Sequence, residues 1–343
     1  MTRIYLDHAA TSPLRPEALA AVEQGLRLWA NPSSPHAEGR AARAALEDAR
    51  ARLKTLLGWQ GEVVFTSGAS EALAIGLGQA KAQRQLVSAV EHDAVLRAAP
   101  VAEVLPVMNG QPEHDALSDC AGAVVAVQAI NPETGTCLLS AEDNAVAELV
   151  RAHGGVLLAD CSQSAGKAAL PDADMVVISA HKFGGPVGVG ALLVRDYAML
   201  EPSGGQERGY RGGTENLPGV LGMVAALEAG GIDSWATTAA QRDDLRERLA
   251  QHGQVLAVGS QCSHIFAVTH AELSAQAALI RLDAQGFAVS AGSACSSGSL
   301  KPSRVLRAFG VEDDVARRTI RVSLGWNTTA ADLDAFVTAW SSL

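Results

Sequence analysis

The stretch MVVISAHKFGGPVGVGALLV, residues 175–194, sets two apolar runs on either side of a histidine, a lysine and a cluster of glycines. Met175 to Ile178 are apolar on consecutive positions, Ser179 ends the run, and His181 and Lys182 follow. Apolar residues in unbroken series suit a strand covered on both faces, as in a largely parallel sheet. An ammonium group at the mouth of such a strand costs several kcal/mol unless it is paired or gives up its proton. Lys182 therefore has two readings. It snorkels into solvent where the strand ends, or its lowered pKa makes it a nucleophile toward an aldehyde.

Working outward, runs of the same texture recur between residues 61 and 194: GEVVFTSG, QLVSAVEH, AEVLPV, AVVAVQ and GVLLAD. Helical patterns lie between several of them, such as Glu142 to Ala152, which predicts an α/β sandwich with a mostly parallel central sheet. Upstream, RPEALAAVEQGLRLWA and GRAARAALEDARARLKTLLG carry helical spacing, and the second ends at Gly58. Beyond about residue 230, charged helical segments alternate with short β-like runs such as HIFAVTH and TIRVSLG, which predicts a smaller α+β domain. The expected division is 1–229 and 230–343.

Composition narrows the function. Over 343 residues, 48% hydrophobic and 19% charged residues give the balance of a soluble globular protein. No run is long enough to cross a membrane, and MTRIYLDHAA has no secretory core, so a cytoplasmic protein is expected. A net charge of −10 without a basic cluster argues against direct nucleic-acid binding. The five cysteines are irregularly spaced, with no C-x-x-C and no zinc spacing, so neither a disulfide framework nor a metal site is expected. Lysine is scarce: Lys54, Lys81, Lys167, Lys182 and Lys301 are the only ones, and Lys182 alone follows a buried strand. Lys167 and Lys301 fall in expected loops.

Other polar residues gather at predicted strand ends. VVFTSGASEALAIGL (63–77) reads as strand, turn and helix, so Ala69 and Ser70 open a helix whose unpaired N–H groups suit a phosphate. An ordinary cap turn has the same pattern. Asp160 ends the strand in VLLADCSQSAGK, where a carboxylate either faces a protonated pyridine nitrogen or caps a helix. His92 follows the strand in SAVEHDAV, and a lone histidine there is weak by itself. Cys295 lies in VSAGSACSSGSLKPS among small polar residues. It has no apolar neighbours to pack with, and a thiolate is reactive in such a setting.

Taken together, the segments YLDHAATSPLRPEAL, NPSSPHAEGRAAR, FTSGASEA, EHDAVL, NPETG, ADCSQSAGK, SAHKFGGPVGVGAL, GGQERGYRGGTEN, SGSLKPSRVLRAFG and IRVSLG resemble, nearly end to end, the cysteine desulfurases. These are fold-type I pyridoxal-phosphate enzymes of the class V aminotransferase group. The resemblance implies a Schiff base between Lys182 and pyridoxal 5'-phosphate, Asp160 at the pyridine nitrogen and Gln163 at the phenolic oxygen. It implies His92 on the ring face moving protons. Ala69, Ser70, Ser179 and His181 would surround the phosphate, with Thr214 supplied from the neighbouring subunit of a homodimer. Asn131 and Arg321 would hold the carboxylate of L-cysteine. Cys295 would take the sulfur as a persulfide and pass it to a protein acceptor, an iron–sulfur scaffold or a sulfur relay. The N-terminal helical segment would pack on the smaller domain.

The match departs from the family pattern at His8, where Asn is common, and at Pro132, which follows Asn131. The chain is also shorter between His92 and Asn131 and before GGQERG. Rival readings are a selenocysteine lyase, a β-lyase or an aminotransferase of the same group. A non-catalytic assembly subunit is a further rival, though the presence of Lys182 and Cys295 argues against it.

Overall fold

The computed structural model describes residues 3–292 and 303–343. The chain opens with β1 (Ile4–Tyr5), α1 (Pro16–Arg27) and α2 (Ala37–Leu57). A sheet region follows: β2 (Glu62–Thr66), α3 (Ala69–Gly78), β3 (Arg84–Ser88), α4 (Asp93–Ala98) and β4 (Glu103–Leu105). Next come the hairpin of β5 (Val107–Met108) and β6 (Gln111–Pro112), α5 (His114–Leu117), β7 (Ala123–Gln128) and α6 (Ala145–Ala152). β8 (Val156–Asp160), β9 (Met175–Ser179), β10 (Gly190–Val194) and α7 (Leu217–Glu228) complete this part. The rest comprises α8 (Ala239–Ala250), β11 (Gln254–Leu256), β12 (Ile265–Thr269), α9 (Ala275–Ala284) and β13 (Phe287–Ala288). It ends with α10 (Arg304–Ala308), α11 (Asp313–Arg318), β14 (Thr319–Ser323) and α12 (Ala330–Ser341).

The large sheet has the order β2-β10-β9-β8-β7-β3-β4. Its unbroken apolar strands split between two cores by the period of two of a pleated strand. Val125, Leu157, Ala159, Ile178 and Leu193 face one core, with α2, α6 and α7. Val124, Leu158, Val177 and Leu192 face the other, with α3 and α4. All strands are parallel except β10, which runs antiparallel to both β9 and β2. The link between β9 and β10, residues 180–189, is too short and glycine-rich for a helical crossover, so the chain turns back.

That turn positions the site. Gly190, opening β10, pairs with both Ser179 and Thr66, which brings the loop carrying Lys182 beside the turn that opens α3. A Cβ at Gly190 would lie 2.5 Å from the Ile178 carbonyl oxygen and 2.8 Å from Gly68 Cα, so only glycine allows this approach.

The second part is an antiparallel sheet, β11-β12-β14, with α8, α9 and α12 around a separate core that includes Phe266, Phe336 and Trp340. One expectation is corrected here. The N-terminal helices α1 and α2 pack mainly on α7 of the first part, not on the second. The reason is that α7 is apolar all round and needs cover, burying Leu217, Val220, Met223 and Val224. It is the short strand β1 that joins the second part, pairing with β13, with Leu6 buried in that core. Arg50 on α2 forms a bidentate pair with buried Glu207 at 2.8 and 3.0 Å. Glu207 also accepts from the Phe65 N–H at 2.8 Å, which fixes the segment leading to Thr214. Among the described residues no helix is long and apolar enough to cross a membrane.

Candidate active site

The carboxyl ends of β2, β3, β7, β8 and β9 lie along one edge of the parallel sheet, where open α/β sheets bind ligands. Lys182 extends from the short turn after β9 and donates to the carbonyls of Ala9 and Ala10, each at 2.7 Å. Burial lowers its pKa to about 8, Arg321 adds to the lowering, and Asp160 and Asp7 oppose it. The neutral fraction at pH 7 thereby rises from about 0.03% for an ordinary lysine to about 10%.

Around it stand the residues singled out from the sequence. Asp160 ends β8; its Oδ1 accepts from the Ser162 N–H at 2.9 Å and from the Ser162 hydroxyl at 2.6 Å. Its charge raises the pKa of both Lys182 and His92. Gln163 donates through Nε2 to the Ala9 carbonyl at 2.8 Å, and its Oε1 is buried without a partner among the described residues. His92 is both the N-cap of α4, accepting from the Ala94 N–H at 3.1 Å, and a neighbour of this cluster. Desolvation lowers its pKa, with Asp160 opposing and Lys182 reinforcing, so the ring is neutral at pH 7 and able to take a proton.

A cradle for a phosphate lies at the start of α3. Gly68 is its N-cap and no side chain caps the helix, so the first-turn N–H groups of Ala69 and Ser70 are open. Ser179 ends β9 next to Gly190 on the same edge. His181 Nδ1 lies 3.1 Å from the Thr11 hydroxyl, and burial lowers its pKa to about 4, which leaves a neutral ring donor. Thr214 is exposed and belongs to no part of this cradle within its own chain.

The two residues assigned to a substrate carboxylate are already engaged. Arg321 on β14 pairs with Asp7 at 2.7 Å and donates to the Pro132 carbonyl at 3.0 Å, with Nε still unpartnered among the described residues. Asn131 Nδ2 donates to the Val90 carbonyl at 3.2 Å, and its Oδ1 accepts from the N–H groups of Glu133 and Thr134. Asn131 thus shapes its own turn, while Arg321 keeps donors to spare. Pro132 fits because only its carbonyl is used. His8 fills the joint between the N-terminal turn and the chain near Gly325, with Nδ1 at 3.1 Å from the Ser12 hydroxyl and its pKa lowered to about 3 by burial. Cys295 lies outside the described residues.

Three participants escaped the sequence reading. Asp7, inside the motif YLDHAAT, pairs with Arg321. Glu91, next to His92, is fully buried, and that burial raises its pKa to about 8. Lys167 sits in the expected loop and is buried at 8% exposure, lining a cleft with Lys182, Ser12, Arg15 and Trp326. Burial lowers its pKa to about 7. No local periodicity marks that burial. Among the described residues no group of three or more His, Cys, Asp or Glu is arranged to hold a metal ion.

Comparison with known proteins places the chain in a family. The profile described as aminotransferase class-V matches residues 4–336. The chain belongs to that family. A cysteine desulfurase of Cereibacter sphaeroides is 35% identical over 368 residues, covering 97% of this chain and 94% of its own. Among solved structures, a NifS-like protein from Rickettsia africae superposes with a TM-score of 0.86 at 25% identity, with 99% of each chain covered. A protein described as SspA in complex with cysteine superposes with a TM-score of 0.79 at 27% identity, covering 96% of this chain and all of that one. The class V chain keeps its polar residues on one sheet edge, and the chemistry follows from that edge.

Proposed function

We propose that this class V protein is a pyridoxal-phosphate-dependent cysteine desulfurase, converting L-cysteine to L-alanine and leaving the sulfur on Cys295. The observation that carries the reading is the partly neutral Lys182 amine, hydrogen-bonded to Ala9 and Ala10 beside Asp160. The names of its relatives and the cysteine-bound neighbour support the substrate.

The residues fit the cofactor. The open start of α3, Ser179 and the neutral His181 suit a phosphate, Gln163 carries an amide donor, now on the Ala9 carbonyl, for the phenolic oxygen, and Asp160 suits a ring nitrogen. When bound, the group supplies an aldehyde for amines and a sink for electrons. Lys182 would provide the amine that holds that aldehyde and would then accept the α-proton, with His92 able to move a proton at the same site. Asp160 would face the ring nitrogen. Arg321 turns spare guanidinium donors to the substrate carboxylate, with Asp7 holding it in place. The Cys295 thiolate attacks the substrate sulfur. Its S–S bond forms as the substrate C–S bond breaks, and the electron pair and a proton stay on carbon. Cysteine plus thiol become alanine plus persulfide, so no outside oxidant is needed. The persulfide then passes to a protein acceptor. The exposed Thr214 agrees with a homodimer in which it completes the partner's phosphate site.

Incubation of the pyridoxal-phosphate-loaded protein with L-cysteine should give alanine and one added sulfur atom on the Cys295 peptide, read by mass. Pyruvate in place of alanine, or alanine with no sulfur on that peptide, contradicts the proposal.

A further inference from the structure

The second domain grips the active-site edge at the start of α10. Ser303 caps this short helix: its Oγ accepts from the Val305 and Leu306 N–H groups, both at 3.1 Å, and gives its own proton to Glu133 Oε2 at 2.6 Å. The hydroxyl is then fully used, one donor and two acceptor sites. The next residue, Arg304, donates to the carbonyls of Ala89 and Glu91, in the turn that leads to His92. Two neighbouring residues thus hold two different strand-end turns.

Glu133 is aimed by the turn around Asn131, whose Oδ1 accepts from the Glu133 N–H at 2.9 Å. Its carboxyl meets a second backbone position: a Cβ added at Gly292 would lie 2.6 Å from Glu133 Oε2. Gly292 and Ser303 flank residues 293–302, the interval that includes Cys295. One carboxyl therefore meets both residues that flank that interval, Gly292 and Ser303. Burial raises its pKa, and Ser303, Arg321 and Arg304 oppose the rise. Losing the carboxyl would leave the Ser303 hydroxyl proton without its acceptor and open space against Gly292.

We propose that Glu133 is a positioning residue that holds Gly292 and Ser303, the residues flanking the interval that includes Cys295, independently of Arg304, which holds the turn bearing His92. The proposal rests on the desulfurase reading, and its test separates the two. Exchange of the alanine α-proton with heavy water needs Lys182 and His92 but not Cys295, whereas protein-bound sulfur needs all three.

In the loaded protein, Glu133→Ala should leave alanine exchange within about twofold of the parent and slow sulfur binding about 10–100-fold, the cost of a small misplacement. Glu133→Gln keeps an oxygen to accept the Ser303 proton and should recover most of the sulfur transfer. Gly292→Ala pushes on the same carboxyl from the other side and should reproduce the selective loss, which keeps the test open if Glu133→Ala fails to fold. Unchanged sulfur transfer in both Glu133→Ala and Gly292→Ala, or equal loss of exchange and transfer, overturns the proposal. A parent protein that exchanges alanine but binds no sulfur overturns the desulfurase reading instead.

Discussion

Lys182→Ala, loaded with pyridoxal phosphate, should form alanine from cysteine at least about 10³-fold more slowly than the parent, because it loses the amine that holds the aldehyde and moves the α-proton. The visible absorbance of the bound cofactor should change with it, since on the proposed reading the amine would be bonded to the chromophore. Arginine at the same position should not rescue activity, as a guanidinium stays protonated. The lowered pKa gives this prediction a pH signature in the cofactor-free parent. The neutral amine is the reacting form, and burial moves its pKa to about 8. The rate of pyridoxal-phosphate capture should climb about tenfold per pH unit below that value and level off above it. Stopped-flow absorbance checks both. A profile still rising steeply beyond pH 9 would mean that the amine is not buried as described.

Cys295→Ser should abolish protein-bound sulfur and slow alanine formation at least about 10²-fold while leaving alanine α-proton exchange intact. The selectivity follows from where the thiol enters. A serine hydroxyl is not ionised near neutral pH and does not take sulfur from the substrate, whereas α-proton exchange is assigned to Lys182 and His92. The comparison is made by mass spectrometry of the peptide and by proton exchange followed in solution. Sulfur still appearing on the serine variant would move the acceptor to another cysteine. Among the described cysteines Cys120, Cys161 and Cys262 are buried, and burial raises their pKa values, so they are poor replacements.

The strands were legible in the sequence because each is covered on both faces, so Met175 to Ile178 and Ala123 to Val127 carry apolar residues without a gap. The edge they share was legible too, since Asp160, His92 and Lys182 each follow such a run. What lay beyond local pattern was the reversed direction of β10, which depends on how little chain separates it from β9. The role of α7 as the platform for α1 and α2 also went unseen, because an all-apolar helix does not name its partners. Long-range pairs were the other gap. Asp7 meets Arg321, Glu133 meets Ser303, and Lys167 shares a cleft with Trp235 and Trp326, all pairings of residues far apart in the chain. His8 and Pro132, the two departures from the family pattern, turned out to serve packing and a carbonyl contact.

The claim that everything else depends on is the identity of the amine. Borohydride reduction of the pyridoxal-phosphate-loaded protein fixes the cofactor to whichever lysine holds it, and peptide mapping then locates the label. The account predicts a single labelled peptide containing Lys182. Label on Lys167, which lines the same cleft, or on any other lysine, would contradict it.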